Sequence, residues 1–179
     1  MSKLTILEIM ADLFILKKLK ILFFIIGALL GFTLILAMVF KQWSYEKMTQ
    51  TILSNSIEQI RVSSDELDDY TIIDARSSAE FDVSHLPGAI RIDPDSKDFS
   101  LELLDAKKPL LIYCSVGLRS EKIGERILKQ SKLKEIYNLK GGIFQWVNDK
   151  KPIVDLNGRS TTRIHTYNKA WGVWVNAIE

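Results

Sequence analysis

A run of twenty almost entirely apolar residues near the N-terminus constrains this chain more than any other sequence feature. Within residues 21–40, Thr33 is the only polar side chain. As an α-helix, this run would be about 30 Å long, which matches the hydrocarbon core of a bilayer. A helix that is apolar on every side does not suit the surface of a soluble domain. We therefore predict an uncleaved, single-pass transmembrane helix over residues 21–40.

Two alternatives to this membrane anchor stay open at the level of sequence. A cleaved signal peptide has a shorter apolar region, of about 7–15 residues, followed by a cleavage site of small residues. Here the run is longer and ends at Val39, Phe40 and Lys41, which make a poor cleavage site. The second alternative is a helix buried within a soluble protein.

The lysines that flank the run predict its orientation, because basic residues favour the cytoplasmic side of a membrane. Lysines are more frequent before residues 21–40 than in the twenty positions after them, with Lys3, Lys17, Lys18 and Lys20 before and Lys41 and Lys47 after. We therefore predict a cytoplasmic or interfacial tail over residues 1–20 and an extracytoplasmic domain. The opposite orientation, with a cytoplasmic domain, is the alternative.

The composition of the remaining chain excludes several classes of site. Residues 42–179 carry 19 basic and 20 acidic side chains, and this net charge of −1 provides no electrostatic basis for binding nucleic acid. Cys114 is the only cysteine, which rules out an internal disulfide. The two histidines, His85 and His165, are 80 positions apart and do not have the spacing of metal ligands. We expect no metal and no other cofactor.

Short apolar segments alternate with amphipathic segments beyond residues 41–57, a polar stretch that we interpret as a helical stalk or linker. Predicted strands cover residues 60–62, 70–73, 89–92, 110–113 and 136–139. Predicted helices cover residues 77–83, 118–130 and 143–147, with single helical turns at 63–66 and 101–104. This alternation is typical of an α/β fold with a mostly parallel sheet. Such sheets bind ligands at the carboxyl ends of their strands, where Cys114 lies.

Cys114 stands between the most apolar predicted strand and the best-marked helix. The backbone N–H groups of the intervening loop and the positive end of the helix stabilise negative charge at such a position. Gly117 lets the loop close, Arg119 adds a fixed positive charge, and Ser120 can cap the helix or bond to the sulfur. A lone cysteine after an apolar strand is also common as a buried core residue. The residues alone therefore leave both a catalytic and a structural cysteine open.

Three motifs in this chain resemble those of the rhodanese family. Residues 73–90, IDARSSAEFDVSHLPGAI, resemble its D-x-R…E…H-[IL]-P-G-A motif. Residues 114–120, CSVGLRS, resemble its C-x-x-G-x-R-S active loop, and residues 141–146, GGIFQW, resemble its closing G-G-x-x-x-W. The motifs occur in the family's order and assign residues 58–154 to a rhodanese-like domain. Residues 155–179 extend beyond it and have no motif that assigns them a role.

This resemblance implies a five-stranded, mostly parallel sheet flanked by helices, and a sulfurtransferase that carries sulfane sulfur as a persulfide on Cys114. The donor would be a small sulfur anion such as thiosulfate, and the acceptor a thiol, cyanide or the thiol of a protein. Arg119 is implied as the anion binder, and the loop N–H groups as a cradle formed by Ser115, Val116, Gly117, Leu118 and Ser120. Since the chain has no second cysteine, the persulfide must pass to an external acceptor.

The first motif also supplies two candidate supporting residues. Asp74 ends a predicted strand and is expected to brace the loops, whereas Arg76 suits either bracing or an anion-attracting place at the mouth of the site. His85 and Trp146 are expected to be structural. Beyond the motifs, Tyr167, Trp171 and Trp174 have i, i+4, i+7 spacing, which predicts a helical aromatic stripe that packs on the domain. Contact with the membrane interface or with a partner is the alternative.

Loop length separates sulfur transfer from phosphate chemistry. Related phosphatases of the cell-cycle type have five residues between cysteine and arginine, whereas four separate Cys114 from Arg119. The shorter loop suits a single persulfide sulfur and disfavours phosphate or arsenate. The main alternative to an enzyme is a non-catalytic sulfur-binding or scaffold module.

Overall fold

The computed structural model describes residues 6–95, 107–130 and 135–176, which divide into a unit that ends at Ser44 and a unit that begins at Tyr45. The first unit consists of the long helix α1 (Ile6–Ile52), which continues past the boundary. The apolar stretch of α1 is not buried, and its length and composition are sufficient to cross a membrane. A signal sequence meets the same criterion.

Five parallel strands form the sheet of the second unit, which confirms the predicted α/β fold. They are β1 (Glu58–Ile60), β2 (Thr71–Asp74), β3 (Ile90–Arg91), β4 (Leu110–Tyr113) and β5 (Ile136–Leu139). Their spatial order is β1-β5-β4-β2-β3. Strand β1 begins two residues before the predicted 60–62, because its pairing with β5 starts at Glu58.

The helices of the second unit follow the predicted alternation. They are α2 (Ser78–Val83), α3 (Leu118–Gln130), α4 (Gly142–Asn148) and α5 (Lys169–Gly172), with a 3-10 turn at Leu67–Asp69. A small antiparallel pair, β6 (Ile153–Val154) and β7 (Ser160–Thr161), precedes α5. The bounds of β4, α3 and β5 agree with the prediction at every residue. The predicted helical turn over residues 101–104 lies outside the described residues.

Strand β4 is buried on both faces and joins two apolar clusters. Leu110 and Ile112 pack in the cluster that contains Ile123 of α3. Leu111 and Tyr113 belong to the opposite cluster, which contains Trp146 of α4. Because alternate residues of a strand point to opposite faces, both faces of β4 must be apolar. This double burial holds the carboxyl end of β4, where Cys114 follows, in one position.

Residues 45–57 belong to the folded unit, although the sequence suggested a stalk or linker. Tyr45, Leu53 and Ile57 are only 3%, 6% and 2% exposed. The Tyr45 hydroxyl also donates a hydrogen bond of 2.6 Å to the carbonyl of Gly141. Polar residues separate these three positions in the sequence. The apolar side chains that pack against the domain are therefore not apparent as a continuous apolar segment.

The C-terminal aromatic residues do not form the predicted helical stripe. Helix α5 has four residues, because the Asn168 side chain caps it and Tyr167 has a left-handed φ of 65°. Trp171 and Trp174 pack against the core, as expected of a segment that lies on the domain. Tyr167 is instead 57% exposed.

Candidate active site

Cys114 lies at the carboxyl end of β4 and forms part of the floor of a cavity of about 860 Å³. The residue is 1% exposed. Its Sγ accepts a hydrogen bond of 3.2 Å from the N–H of Gly117. Gly117 has a φ of 112°, which is unfavourable for residues with a side chain. The loop therefore places a backbone donor at the atom that would carry negative charge.

Two polar side chains hold the far side of this loop. Asn138 of β5 donates from Nδ2 to the Gly117 carbonyl at 2.9 Å. Ser120 Oγ lies 2.9 Å from the same carbonyl oxygen and 2.8 Å from Asn138 Oδ1. The sequence offered two roles for Ser120, a helix cap or a bond to the sulfur, but its hydrogen bonds in the structure brace the loop instead. Asn138 was not predicted, and its only signal was a polar residue within an otherwise apolar strand.

The start of α4 fixes the other side of the cysteine. The N–H groups of Ile143 and Phe144 donate to the carbonyls of Cys114 and Ser115 at 2.9 and 3.2 Å. Gly142 has a φ of 59°, and a Cβ at this position would overlap the Cys114 carbonyl oxygen. The second glycine of the G-G-x-x-x-W motif is therefore required by the close approach of two backbones.

Glu80 is a site residue that the sequence analysis did not identify. Its buried carboxylate accepts two hydrogen bonds of 2.7 Å from the Arg119 guanidinium, one on each oxygen. It also accepts from Ser115 Oγ at 3.0 Å and from Ser77 Oγ at 2.8 Å. The predicted anion binder Arg119 is therefore paired with a carboxylate of the protein. Two signals were available. Glu80 is the glutamate of the first motif, and it has capping-box spacing from Ser77, a box that its backbone N–H and side chain complete.

The charges of this pair are strongly stabilised. Burial alone would raise the pKa of Glu80, but hydrogen bonds from Arg119 and Ser77 outweigh it and lower the pKa from 4.5 to about 2. Burial would lower the pKa of Arg119, but the hydrogen bonds to Glu80 and the negative charge at Cys114 raise it. Both groups are therefore ionised across the physiological range.

The Glu80 carboxylate is expected to make the folded unit sensitive to acid. Its pKa of about 2 in the folded chain lies below the ordinary value of 4.5, so the unfolded chain binds the proton more tightly. The resulting stabilisation, about 3 kcal/mol, is complete above the ordinary pKa and is lost as the pH falls towards the folded one. Melting temperatures of the full chain in detergent would show this loss between about pH 5 and pH 2.

The variant Glu80→Gln should lower the melting temperature at neutral pH and flatten the acid limb of the profile. Glu58→Gln provides a matched control, because Glu58 is exposed at the start of β1. A Glu80→Gln profile with the wild-type acid limb would show that another group causes the acid sensitivity.

Asp74 and Arg76 form a second buried ion pair, which braces the loops below the cavity. The Arg76 Nη2 donates to Asp74 Oδ2 and to the Ser84 carbonyl, both at 2.6 Å. The Tyr113 hydroxyl donates to Asp74 at 2.6 Å and accepts from the Leu86 N–H at 3.0 Å. Since Arg76 is fully buried, it does not have the anion-attracting place at the mouth that the sequence left open.

The structure also shows where the remaining predicted residues lie. Val116 is buried in the core, and Leu118 lines the cavity at the start of α3. His85 lies in a turn, with Nδ1 3.1 Å from the Phe81 carbonyl oxygen and with its backbone paired to Val154. The structure thus brings Cys114 together with the loop residues that follow it, while the contacts of His85 with Phe81 and Val154 are structural.

Comparison with known proteins gives one matching family and several partial relatives. The family described as Rhodanese-like domain matches residues 58–149. A tRNA uridine(34) hydroxylase of Bacillus cereus (strain Q1) is 36% identical over 89 residues, which cover 46% of this chain and 27% of that protein. The chain thus spans about a quarter of the length of the curated relatives that it matches.

Solved structures with a similar fold include two from different organisms. A rhodanese-related protein from Thermoplasma volcanium has a TM-score of 0.46 at 24% identity, over 52% of this chain and 96% of that one. A thiosulfate sulfurtransferase from Pseudomonas aeruginosa has a TM-score of 0.48 at 15% identity, over 73% of this chain and 26% of that one.

Proposed function

Because this chain belongs to the rhodanese-like family, we propose that it is a sulfurtransferase that carries sulfane sulfur as a persulfide on Cys114. The observation that carries the proposal is the Gly117 N–H at 3.2 Å from Cys114 Sγ, on the floor of an open cavity. A sulfur anion at this position receives a hydrogen bond from the backbone and lies at the start of α3.

In the first step, the Cys114 thiolate attacks the outer sulfur of thiosulfate. A bond forms between Sγ and this sulfur, the sulfur–sulfur bond of thiosulfate breaks, and sulfite leaves with the bonding electron pair. The product is a Cys114 persulfide anion, whose charge the loop N–H groups stabilise. Arg119 would contact the donor from the side of its guanidinium that faces away from Glu80.

In the second step, an external acceptor attacks the outer sulfur of the persulfide. With cyanide, the new carbon–sulfur bond gives thiocyanate; with a thiolate, the new sulfur–sulfur bond gives a persulfide of the acceptor. In both cases the Cys114–sulfur bond breaks and returns the Cys114 thiolate. The absence of a second cysteine in the sequence leaves no internal thiol to resolve the persulfide.

The test combines mass spectrometry with turnover, using the full chain in detergent. Thiosulfate should add one sulfur to the peptide that contains Cys114, and cyanide should remove this sulfur and release thiocyanate over many cycles. A chain that gains no sulfur from thiosulfate or from other sulfane donors would overturn the proposal.

A sulfur-binding or scaffold module is the second candidate, and one observation favours it. The bidentate pair with Glu80 already occupies the Arg119 guanidinium, which an anionic donor would otherwise use. Such a module would accept one sulfur per chain but would not release thiocyanate repeatedly. The same experiment therefore distinguishes it from the enzyme.

We further propose that residues 21–40 anchor the chain in a membrane, with the domain on the extracytoplasmic side. The support is the exposed apolar stretch of α1 together with the excess of lysines before it. Protease treatment of intact cells that carry a C-terminal epitope, with any outer membrane opened first, should remove the epitope. Protection until the inner membrane is lysed would place Cys114 in the cytoplasm.

A further inference from the structure

The cavity above Cys114 is much larger than the small ions that the proposed chemistry requires. Its volume of about 860 Å³ lies within the range of sites that bind organic molecules, about 300–1,000 Å³. Thiosulfate and cyanide would occupy only a small part of this space. The size therefore points to an acceptor with an organic body.

One side of the cavity is formed by Tyr167 and Trp171, which we call the aromatic wall. Both residues lie in the C-terminal segment, beyond residues 58–149 that match the family. The Tyr167 ring centroid is 5.4 Å from the Arg119 guanidinium carbon, so the wall begins beside the active loop. Trp171 packs against the core, whereas Tyr167 remains more than half exposed.

The backbone holds Tyr167 in this place. Its φ of 65° is left-handed, a conformation that is costly for a residue with a side chain. The Tyr167 N–H donates to His165 Nδ1 at 3.0 Å, and the next residue, Asn168, caps α5. An exposed ring on a backbone held in this way can bind the apolar face of a ligand without the segment first being ordered.

The charged residues of α3 add a preference for an anionic group. Lys122 and Arg126 line the cavity one helical turn apart. Three acidic residues also line the cavity: Glu80 is paired with Arg119, Glu125 accepts a hydrogen bond from Ser56 Oγ at 2.5 Å, and the third is Asp95. Arg126 donates a hydrogen bond of 2.7 Å to the carbonyl of Pro94. A ligand carboxylate that lies against Lys122 forms a pair of opposite charges, whereas a ligand cation at the same point would be repelled.

We propose that the sulfur acceptor is an organic thiol whose apolar body lies against the aromatic wall and whose carboxylate faces Lys122. This inference rests on the proposed sulfurtransferase function and specifies its acceptor. The acceptor thiolate attacks the outer sulfur of the Cys114 persulfide, the Cys114–sulfur bond breaks, and the products are an acceptor persulfide and the Cys114 thiolate. Tyr167 acts as a specificity-determining residue.

Two thiols that differ by one benzyl group provide the test: 3-mercaptopropanoate and its 2-benzyl derivative. The full chain in detergent, loaded with sulfur from thiosulfate, should use the benzyl thiol at least about tenfold better in kcat/KM. Tyr167→Ala should reduce this preference roughly threefold to tenfold. Val173→Ala is the control, because Val173 is an exposed apolar residue of the same segment.

The carboxylate is tested with the primary amide of the benzyl thiol, which should be used several-fold less well than the acid. An equal preference for the benzyl thiol in wild type and Tyr167→Ala, with turnover intact, would overturn this inference and leave the proposed function standing. Equal use of the acid and the amide would remove the carboxylate from the description of the acceptor.

Binding of an unreactive analogue separates the two proposals. The S-methyl thioether of the benzyl thiol cannot accept sulfur, so calorimetry with the full chain measures its affinity without turnover. Tighter binding to wild type than to Tyr167→Ala supports the aromatic wall even if no acceptor is turned over, a result that would overturn only the sulfurtransferase. Equal binding to wild type and to Tyr167→Ala would overturn the proposal that the aromatic wall binds the acceptor.

Discussion

Replacing Cys114 with serine is expected to abolish thiosulfate:cyanide turnover, with a loss of at least about a thousandfold, the scale of removing a covalent nucleophile. Serine is close to cysteine in size, so the loop between β4 and α3 should keep its shape. The melting temperature of the full chain in detergent should therefore stay close to that of the wild type. Initial rates of thiocyanate formation and the mass of the peptide that contains residue 114 provide the measurements.

Lys129→Ala serves as a matched control for this loss. Lys129 lies in the last turn of α3, three turns beyond the active loop. The control should retain full turnover and gain one sulfur from thiosulfate, while Cys114→Ser gains none. Equal turnover in wild type and Cys114→Ser would remove this cysteine, the only one in the chain, from the mechanism.

Gly142→Ala is expected to cause the largest loss of stability among single substitutions near the site. A Cβ at residue 142 would overlap the backbone of Cys114 and Ser115, neither of which is a flexible side-chain end. The positive φ of 59° adds the usual cost of a left-handed residue. We expect a destabilisation of roughly 4 kcal/mol, which corresponds to a fall in melting temperature of about 10–15 °C.

The variant Gly158→Ala measures the cost of an alanine with a positive φ where there is no steric clash. Gly158 has a φ of 73°, but a Cβ there would have no atom within 4 Å. This variant should therefore lose only about 1–2 kcal/mol. Thermal unfolding followed by tryptophan fluorescence would compare the two. If the two alanine variants are equally stable, the close approach of α4 to the active loop does not constrain residue 142.

The sequence predicted correctly those segments in which buried residues recur at the regular spacing of a strand or a helix. Strand β4 and helix α3 have apolar residues at the spacing of their own secondary structure, and both ends of each were predicted. Cys114, Gly117 and Arg119 were grouped because they lie within a single loop. Residues 45–57 were predicted as a linker because their buried positions are separated by polar residues.

The sequence by itself thus determined the alternation of strands and helices, the position of Cys114 at the end of a buried strand, and a helix long enough for a membrane. Only the tertiary structure decided which groups surround the sulfur. Glu80 and Arg119 are 39 positions apart and meet because β2 lies beside β4 in the sheet, which brings the start of α2 to the active loop. Tyr167 reaches the same place from the end of the chain. Periodicity reports the burial of each residue within its own element, whereas such contacts depend on the order in which the elements pack.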